Sequence, residues 1–272
     1  MPQGFSSPHR DERFAARTET SAGGSRRALS GALVLLLWAV PAAAIAEDGH
    51  APPSRTQLAQ TFLDGRTLKE APAFIVQRYR RRAEAGDVRA QFYLGLMHEQ
   101  GLIGDAPDEE AARRWFAAAA EAGYPPAQYK LGVFFEEGTG GPEDPARAAT
   151  LYRAASEAGL AEAQYNYALM LSQGRGGARD TRAAIRWFEQ AGLAGVTEAQ
   201  MALAEIYSAG SGGVPADSVE AWAWLSRAAD AGNVEAADLL TTLERRMDEA
   251  ERAEATKLKQ AHDALARMRR GG

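Results

Sequence analysis

The chain of 272 residues contains no cysteine. Disulfides, thiolate zinc sites, cysteine nucleophiles and a lipidated N-terminal cysteine are thereby excluded. Histidine is nearly as scarce: His9, His50, His98 and His262 stand far apart, and none has a second ligand at helical spacing, so no metal is expected. No serine precedes a lysine by three residues and no G-x-S-x-G occurs, which removes two common nucleophile patterns. The paired carboxylates Glu109-Glu110 and Glu136-Glu137 are residues that helix faces and first turns favour anyway. No catalytic residue and no cofactor are assigned.

Positive charge is in deficit. The net charge is -5, and because residues 1–46 carry +2 the remainder carries -7. Such a body has no electrostatic reason to bind nucleic acid, whose affinity rests on neutralising phosphates. Large aliphatic residues are thinly spread, and alanine carries most of the 46% apolar share. A core made that way comes from helices whose small side chains allow close approach.

Long apolar runs are missing as well, apart from Ala28 to Val40. That run follows Arg26-Arg27 and precedes Pro41 and Ala44-Ile45-Ala46, the order of a secretory signal peptide. It is shorter than the roughly 20 residues of a membrane span. We therefore expect residues 1–46 to be an N-terminal extension and signal, the signal covering about 25–46 with cleavage after Ala46. Export to a periplasm follows, with membrane attachment only through an uncleaved leader. Residues 47–55 read as a linker.

What the sequence has in abundance is a period. Glycines recur at Gly86, Gly123, Gly159, Gly195 and Gly232, at intervals of 37, 36, 36 and 37 residues. In the same phase stand Ala90-Gln91, Ala127-Gln128, Ala163-Gln164 and Ala199-Gln200, followed by a small residue at Gly95, Gly132, Ala168 and Ala204. Stop glycines come at Gly101, Gly138, Gly174 and Gly210, and a large apolar pair closes each unit, as in Trp115-Phe116 and Trp187-Phe188. Each unit reads as helix A, a glycine-ended turn, and helix B. The glycine loops Gly138 to Gly141 and Gly174 to Gly177 are turns, because they follow helices and lack the Gly-Lys-Ser/Thr of a phosphate loop. One hairpin cannot bury its apolar face alone, so the units must stack.

Four repeats are predicted over 87–232, a degenerate N-terminal capping repeat over 56–86, and one long, mostly polar capping helix over 233–272. His98 sits where the other units have Phe135, Leu171 and Tyr207 and reads as a packing position with a polar tip. Arg78, Arg80, Arg81 and Arg82 form a basic helix face, either simply solvated or facing an acidic partner or lipid surface. Trp222 is either an exposed aromatic or packed under the C-terminal helix.

The segments Ala163 to Met170, Ala183 to Phe188 and Ala127 to Gly132, with the Gly-Gly loops before helix B, resemble the Sel1-like repeat, a relative of the tetratricopeptide repeat. The resemblance covers about residues 83–232. It implies an all-α, right-handed α-solenoid that binds proteins, often in the bacterial envelope. One branch of the family is cysteine-rich and described as penicillin-binding, and this chain lacks those cysteines. Another consists of periplasmic inhibitors of envelope sensor kinases that govern exopolysaccharide production.

In stacked hairpins helix A lines the concave surface. The side away from Gly95 and its equivalents predicts a partner-binding groove of Phe92, Leu96 and Glu99, then Tyr129, Val133, Glu136 and Glu137, then Tyr165, Leu169 and Gln173, then Met201 and Glu205. The mixture of aromatic, aliphatic and carboxylate suits gripping a peptide or helix. The expected function is a non-enzymatic protein-binding scaffold or regulator of the cell envelope, its partner an envelope protein or peptide. The alternative is a cell-wall enzyme or peptidoglycan-fragment binder, which requires convergent polar side chains in the groove.

Overall fold

Short apolar stretches separated by glycine can become only short helices. The computed structural model describes residues 73–271, and all regular structure among them is helical. The helices are α1 (Ala73–Glu84), α2 (Val88–Glu99), α3 (Glu109–Glu121), α4 (Pro125–Glu137), α5 (Pro145–Glu157), α6 (Ala161–Gln173), α7 (Thr181–Ala194), α8 (Thr197–Ala209), α9 (Ser218–Asp230), α10 (Val234–Glu244) and α11 (Glu249–Gly271). The expected signal, its cleavage site, the linker and residues 56–72 of the first capping repeat lie outside the described residues.

Helices α2–α3, α4–α5, α6–α7 and α8–α9 form four A–B hairpins, and each helix B also packs on helix A of the following unit. The result is the α-solenoid expected. Helix α1 plays the part of a preceding helix B against α2, and α10 is a fifth helix A packed on α9.

The small residues of the period have a direct use. A Cβ on Gly132 would lie 2.8 Å from the Tyr152 ring, and one on Gly95 would lie 2.6 Å from the Phe116 ring. Helix A thus approaches helix B closely enough for a fully buried ring to fill the space, as dense packing requires. Three glutamines of the Ala-Gln pairs tie helices of neighbouring units together. Gln91, Gln164 and Gln200 donate their side-chain amides to the carbonyls of Ala83, Ser156 and Gly192, at 3.2, 3.2 and 2.8 Å, each near the end of the preceding helix B. Each of these carbonyls also accepts from a glycine N–H, those of Gly86, Gly159 and Gly195, so the glutamine amide is a second donor at the helix end.

An aspartate opens every helix B. Asp108, Asp144, Asp180 and Asp217 accept from backbone N–H groups of the first turn at 2.9–3.0 Å. Their own N–H groups donate to the carbonyls of His98, Phe135, Leu171 and Tyr207. One residue therefore caps helix B and pins it to the end of helix A. His98 is half-buried, its carbonyl serving the same bond as Phe135, and burial holds its imidazole below the usual range.

Units also meet at the loop edge. A Cβ on Gly176 (φ +73°) would overlap the Pro145 carbonyl oxygen and lie 2.7 Å from its carbon. Gly140 approaches the Glu109 carbonyl in the same way and Gly212 approaches the Thr181 side chain, the partner lying thirty-one residues earlier in each case. The second glycine of these three loops is thus a stacking contact, whereas Gly104 of the first loop has open space around it.

The C-terminal end departs from expectation. The single helix predicted over 233–272 is two, broken at 245–248. Asp248 and Glu251 cap each other reciprocally, the Glu251 N–H donating to Asp248 and the Asp248 N–H to Glu251, both at 2.8 Å. This capping box starts a new helix, while Met247 turns into the core. Helix α11 then folds over helices α9 and α7. Buried Arg227 pairs with Asp263, Lys259 reaches Asp230 at 2.7 Å, and His262 stacks on Trp224 with centroids 4.3 Å apart. Burial first, then Arg227, lowers the His262 pKa, opposed by Asp263. Trp222 is half-buried, its indole donating to Glu244 at 2.9 Å at the end of α10.

Two adjacent glycines give a sharp test of the stacking contact. Gly176→Ala is expected to cost about 2 kcal/mol, through overlap with Pro145 and the left-handed backbone. Gly177 has no atom near its would-be Cβ, so Gly177→Ala should change stability by less than about 0.5 kcal/mol. Denaturant unfolding of both variants checks this; equal effects would remove the stacking role of the second glycine.

Candidate functional site: the helix A face

The helix A register places the twelve predicted groove residues in four parallel rows, but the rows are not equally free. Phe92, Tyr129 and Tyr165 are half-buried, with ring centroids 5.7, 5.9 and 5.8 Å from Phe116, Tyr152 and Phe188 of helix B. Leu96, Val133, Leu169 and Met201 are half-buried against the same clusters. These residues help close the core and offer only their outer edges. Glu137, Gln173 and Glu205 are exposed.

Glu99 and Glu136 bridge units. Lys130 Nζ lies 2.8 and 3.1 Å from the two Glu99 oxygens. Glu136 accepts from the Tyr152 hydroxyl at 2.7 Å and from Arg175 at 2.6 Å, so a residue of helix A, one of helix B and one from the following loop converge on it. Asn166 of the next helix A lowers the pKa of the Tyr129 and Tyr152 hydroxyls, against the effect of burial. The structure therefore gathers Tyr129, Glu136 and Glu137 around the second-to-third repeat junction, while Phe92 stands in a separate aromatic cluster with Tyr93 and Tyr124.

The electrostatics follow from this packing. Burial raises the Tyr152 pKa, and the carboxylate of Glu136 raises it further, so the phenol stays a donor. Burial pushes the Tyr165 hydroxyl up to about 12, with Glu198 of the next unit adding to it. Tyr129 is raised by burial and by Glu162 of the next unit. Glu137 is raised by burial and by Glu136, against a lowering bond from Thr139. The arrangement presents phenol donors, ring edges and carboxylates. Among the described residues no group of three or more His, Asp or Glu is placed to hold a metal ion, and no helix is long and apolar enough to cross a membrane.

Lys130, Tyr152, Asn166, Arg175, Glu162 and Glu198 were not in the predicted row. A signal for the first pair exists: Glu99 and Lys130 lie 31 residues apart, close to one period, with opposite charge. Arg175 follows directly after a stop glycine, where a side chain from one unit can reach the previous one.

The family model described as the Sel1 repeat matches residues 88–124, 125–160, 161–196 and 197–233. The chain is 29% identical to the protective antigen c5321 of uropathogenic Escherichia coli, described as displaying an SLR fold, with a TM-score of 0.63 over 78% of this chain and 46% of that one. It is 31% identical to a Sel1 repeat protein from Oxalobacter formigenes, with a TM-score of 0.55 over 66% and 73% of the two chains. The chitin synthase regulator SKT5 of Saccharomyces cerevisiae is 38% identical over 97 residues, 34% of this chain and 13% of that protein. The chain thus spans less than half of the antigen and a small part of the regulator.

The raised Glu137 pKa gives a pH-dependent prediction. A carboxyl that holds its proton more tightly when folded adds stability below its unfolded pKa, near about 4.3, and loses it as pH rises through the folded value. Glu137→Gln should therefore be more stable than the natural chain at pH 7, with the difference vanishing below about pH 4. Thermal unfolding across that range checks it; a constant difference would show that the local carboxylate crowding is not felt.

Proposed function

Since the chain belongs to the Sel1 repeat family, a protein-interaction scaffold type, we propose that it is a non-enzymatic scaffold or regulator of the cell envelope that grips a partner segment along the helix A face. One observation carries the reading. Exposed side chains of successive A helices stand in register at the repeat period, on a base made stiff by half-buried rings and by the Glu99–Lys130 and Glu136–Arg175 bridges. A continuous surface of that kind engages an extended partner through many modest contacts, with little ordering cost on the scaffold side. The relative named as a chitin synthase regulator supports a regulatory part, by analogy at the level of the repeat. The envelope location rests on the leader sequence at 25–46.

The test is cross-linking capture of the tagged full chain from intact cells. Tyr129, Glu136 and Tyr165 hold the repeats together, so altering them would confound folding with binding. The exposed Glu137, Gln173 and Glu205 are the better probes. A specific protein captured by the natural chain and lost from the triple variant Glu137→Lys, Gln173→Lys, Glu205→Lys is the expected result. Wall fragments co-purifying without an enriched protein would overturn it.

Export has its own check. Intact-mass analysis of the periplasmic fraction should find a chain beginning at Glu47, and Ala44→Leu with Ala46→Leu should block that processing. Full-length protein confined to the cytoplasm would remove the envelope reading and leave the scaffold reading standing.

A further inference from the structure

Helix α11 carries little apolar surface into its contact with α9 and α7. Among its described residues only the side chains of Ala255 and Ala266 are buried, and Leu265 and Met268 face solvent. What holds its second half is a cluster of charges around one stacked pair of rings. Buried Arg227 of α9 pairs with Asp263, and Lys259 lies 2.7 Å from Asp230 of α9 and 3.6 Å from Asp263. Two cations and two carboxylates meet there and balance.

His262 sits inside this cluster. Its ring lies on the indole of Trp224, with centroids 4.3 Å apart and planes at 28°. Trp224 is fully buried, whereas its counterpart one unit earlier, Trp187, is half-buried. The Arg227 guanidinium stands 5.9 Å from the centroid of the same indole, so that ring already has a cation against it. His262 Nδ1 is enclosed and has no hydrogen-bond partner among the described residues.

A neutral imidazole fits such a place, because the enclosed nitrogen is then free to be the one without a proton. A protonated imidazole does not fit. Both of its nitrogens are donors, and an enclosed donor without an acceptor is costly. The added charge also stands beside Arg227, and Asp263, the carboxylate that would offset it, is already shared by Arg227 and Lys259. Arg227 from α9 and Asp263 from α11 are the charged groups that act on the ring, and no charge of α7 does so among the described residues.

We propose that the second half of α11, from Lys259 onward, is a proton-operated strap that closes over Trp224 with His262 neutral and lifts when His262 is protonated. The first half stays in place, because Met247, the Asp248–Glu251 capping box and the Ser218–Glu251 bond at 2.9 Å hold it without His262. Lifting uncovers Trp224 and Arg227, residue types that often anchor a protein partner. Burial and Arg227 hold the imidazole below its ordinary value of about 6.5. Docking is therefore at full strength above about pH 6.5 and is lost as pH falls through the lowered value. The strap works whether or not the helix A face binds a partner.

Hydrogen exchange of the full chain, read by mass spectrometry and corrected for the intrinsic rate, tests this at about pH 7.5 and about pH 5. Amides of residues 259–268 should lose protection about tenfold at the acid pH, the loss that a one-unit lowering supports, while residues 249–258 keep theirs. His262→Phe retains a ring on Trp224 and cannot titrate, and His262→Gln lacks both ring and titration. Each should show the same protection at the two pH values, high in the first and lower in the second. If both variants lose protection at acid pH as the natural chain does, the carboxylates and not His262 open the helix, and the inference falls. It falls as well if the natural chain stays protected at acid pH, or if all its helices lose protection together.

Discussion

Helices made largely of alanine bury little apolar area each, so the fold depends on how closely their backbones can come. Phe116 and Tyr152 are fully buried only because Gly95 and Gly132 leave room for their rings. Gly176 meets the Pro145 carbonyl with no space for a side chain, and close approaches recur at Gly140, to the Glu109 carbonyl, and at Gly212, to the Thr181 side chain. Each contact contributes modestly through dispersion and exclusion of water, and repetition makes the sum sufficient. A substitution at one such glycine therefore acts on a junction between units and not merely on a loop.

Close stacking also decides what the polar groups can do. At the ends of the B helices the carbonyls of Ser156 and Gly192 accept from a glycine N–H of their own turn and from Gln164 or Gln200 of the next helix A, which ties the two units together. The four aspartates at the start of helix B serve two needs at once, capping one helix and holding the end of another. On the helix A face the half-buried rings of Tyr129 and Tyr165 lean on Tyr152 and Phe188 and help to close the core. The face proposed for binding and the stacking interface thus share residues.

The end of the stack solves a different problem. A fifth helix A with no helix B of its own would leave the solenoid open. Helix α10 carries Ala237 and Thr241 where earlier units have the glutamine and the small residue, and α11 is sent back over helices α9 and α7. It is held there largely by polar contacts, Arg227 with Asp263 and Lys259 with Asp230, and by the stack of His262 on Trp224. The cap still leaves Val234, Leu239, Leu265 and Met268 exposed on its two helices.

The repeat period, the helix–turn–helix character of each unit and the all-α class were legible from residue order alone, because glycine, Ala-Gln and the aromatic pair recur in phase and each has a local conformational meaning. The predicted groove row was legible as a register: a helix of known period puts Phe92, Leu96 and Glu99 on one side. How free those residues are was not. Tyr129 and Val133 read as surface from periodicity, yet helix B of their own unit half-covers them. The break before Asp248 was written in Asp248 and Glu251 as a local capping signal and passed unread beneath a longer apolar spacing. What only the tertiary structure decided is which charges meet. Glu136, Tyr152 and Arg175 converge because the rise and rotation from one hairpin to the next bring distant segments together. That geometry is set by the summed fit of many junctions, and no single stretch of sequence encodes it.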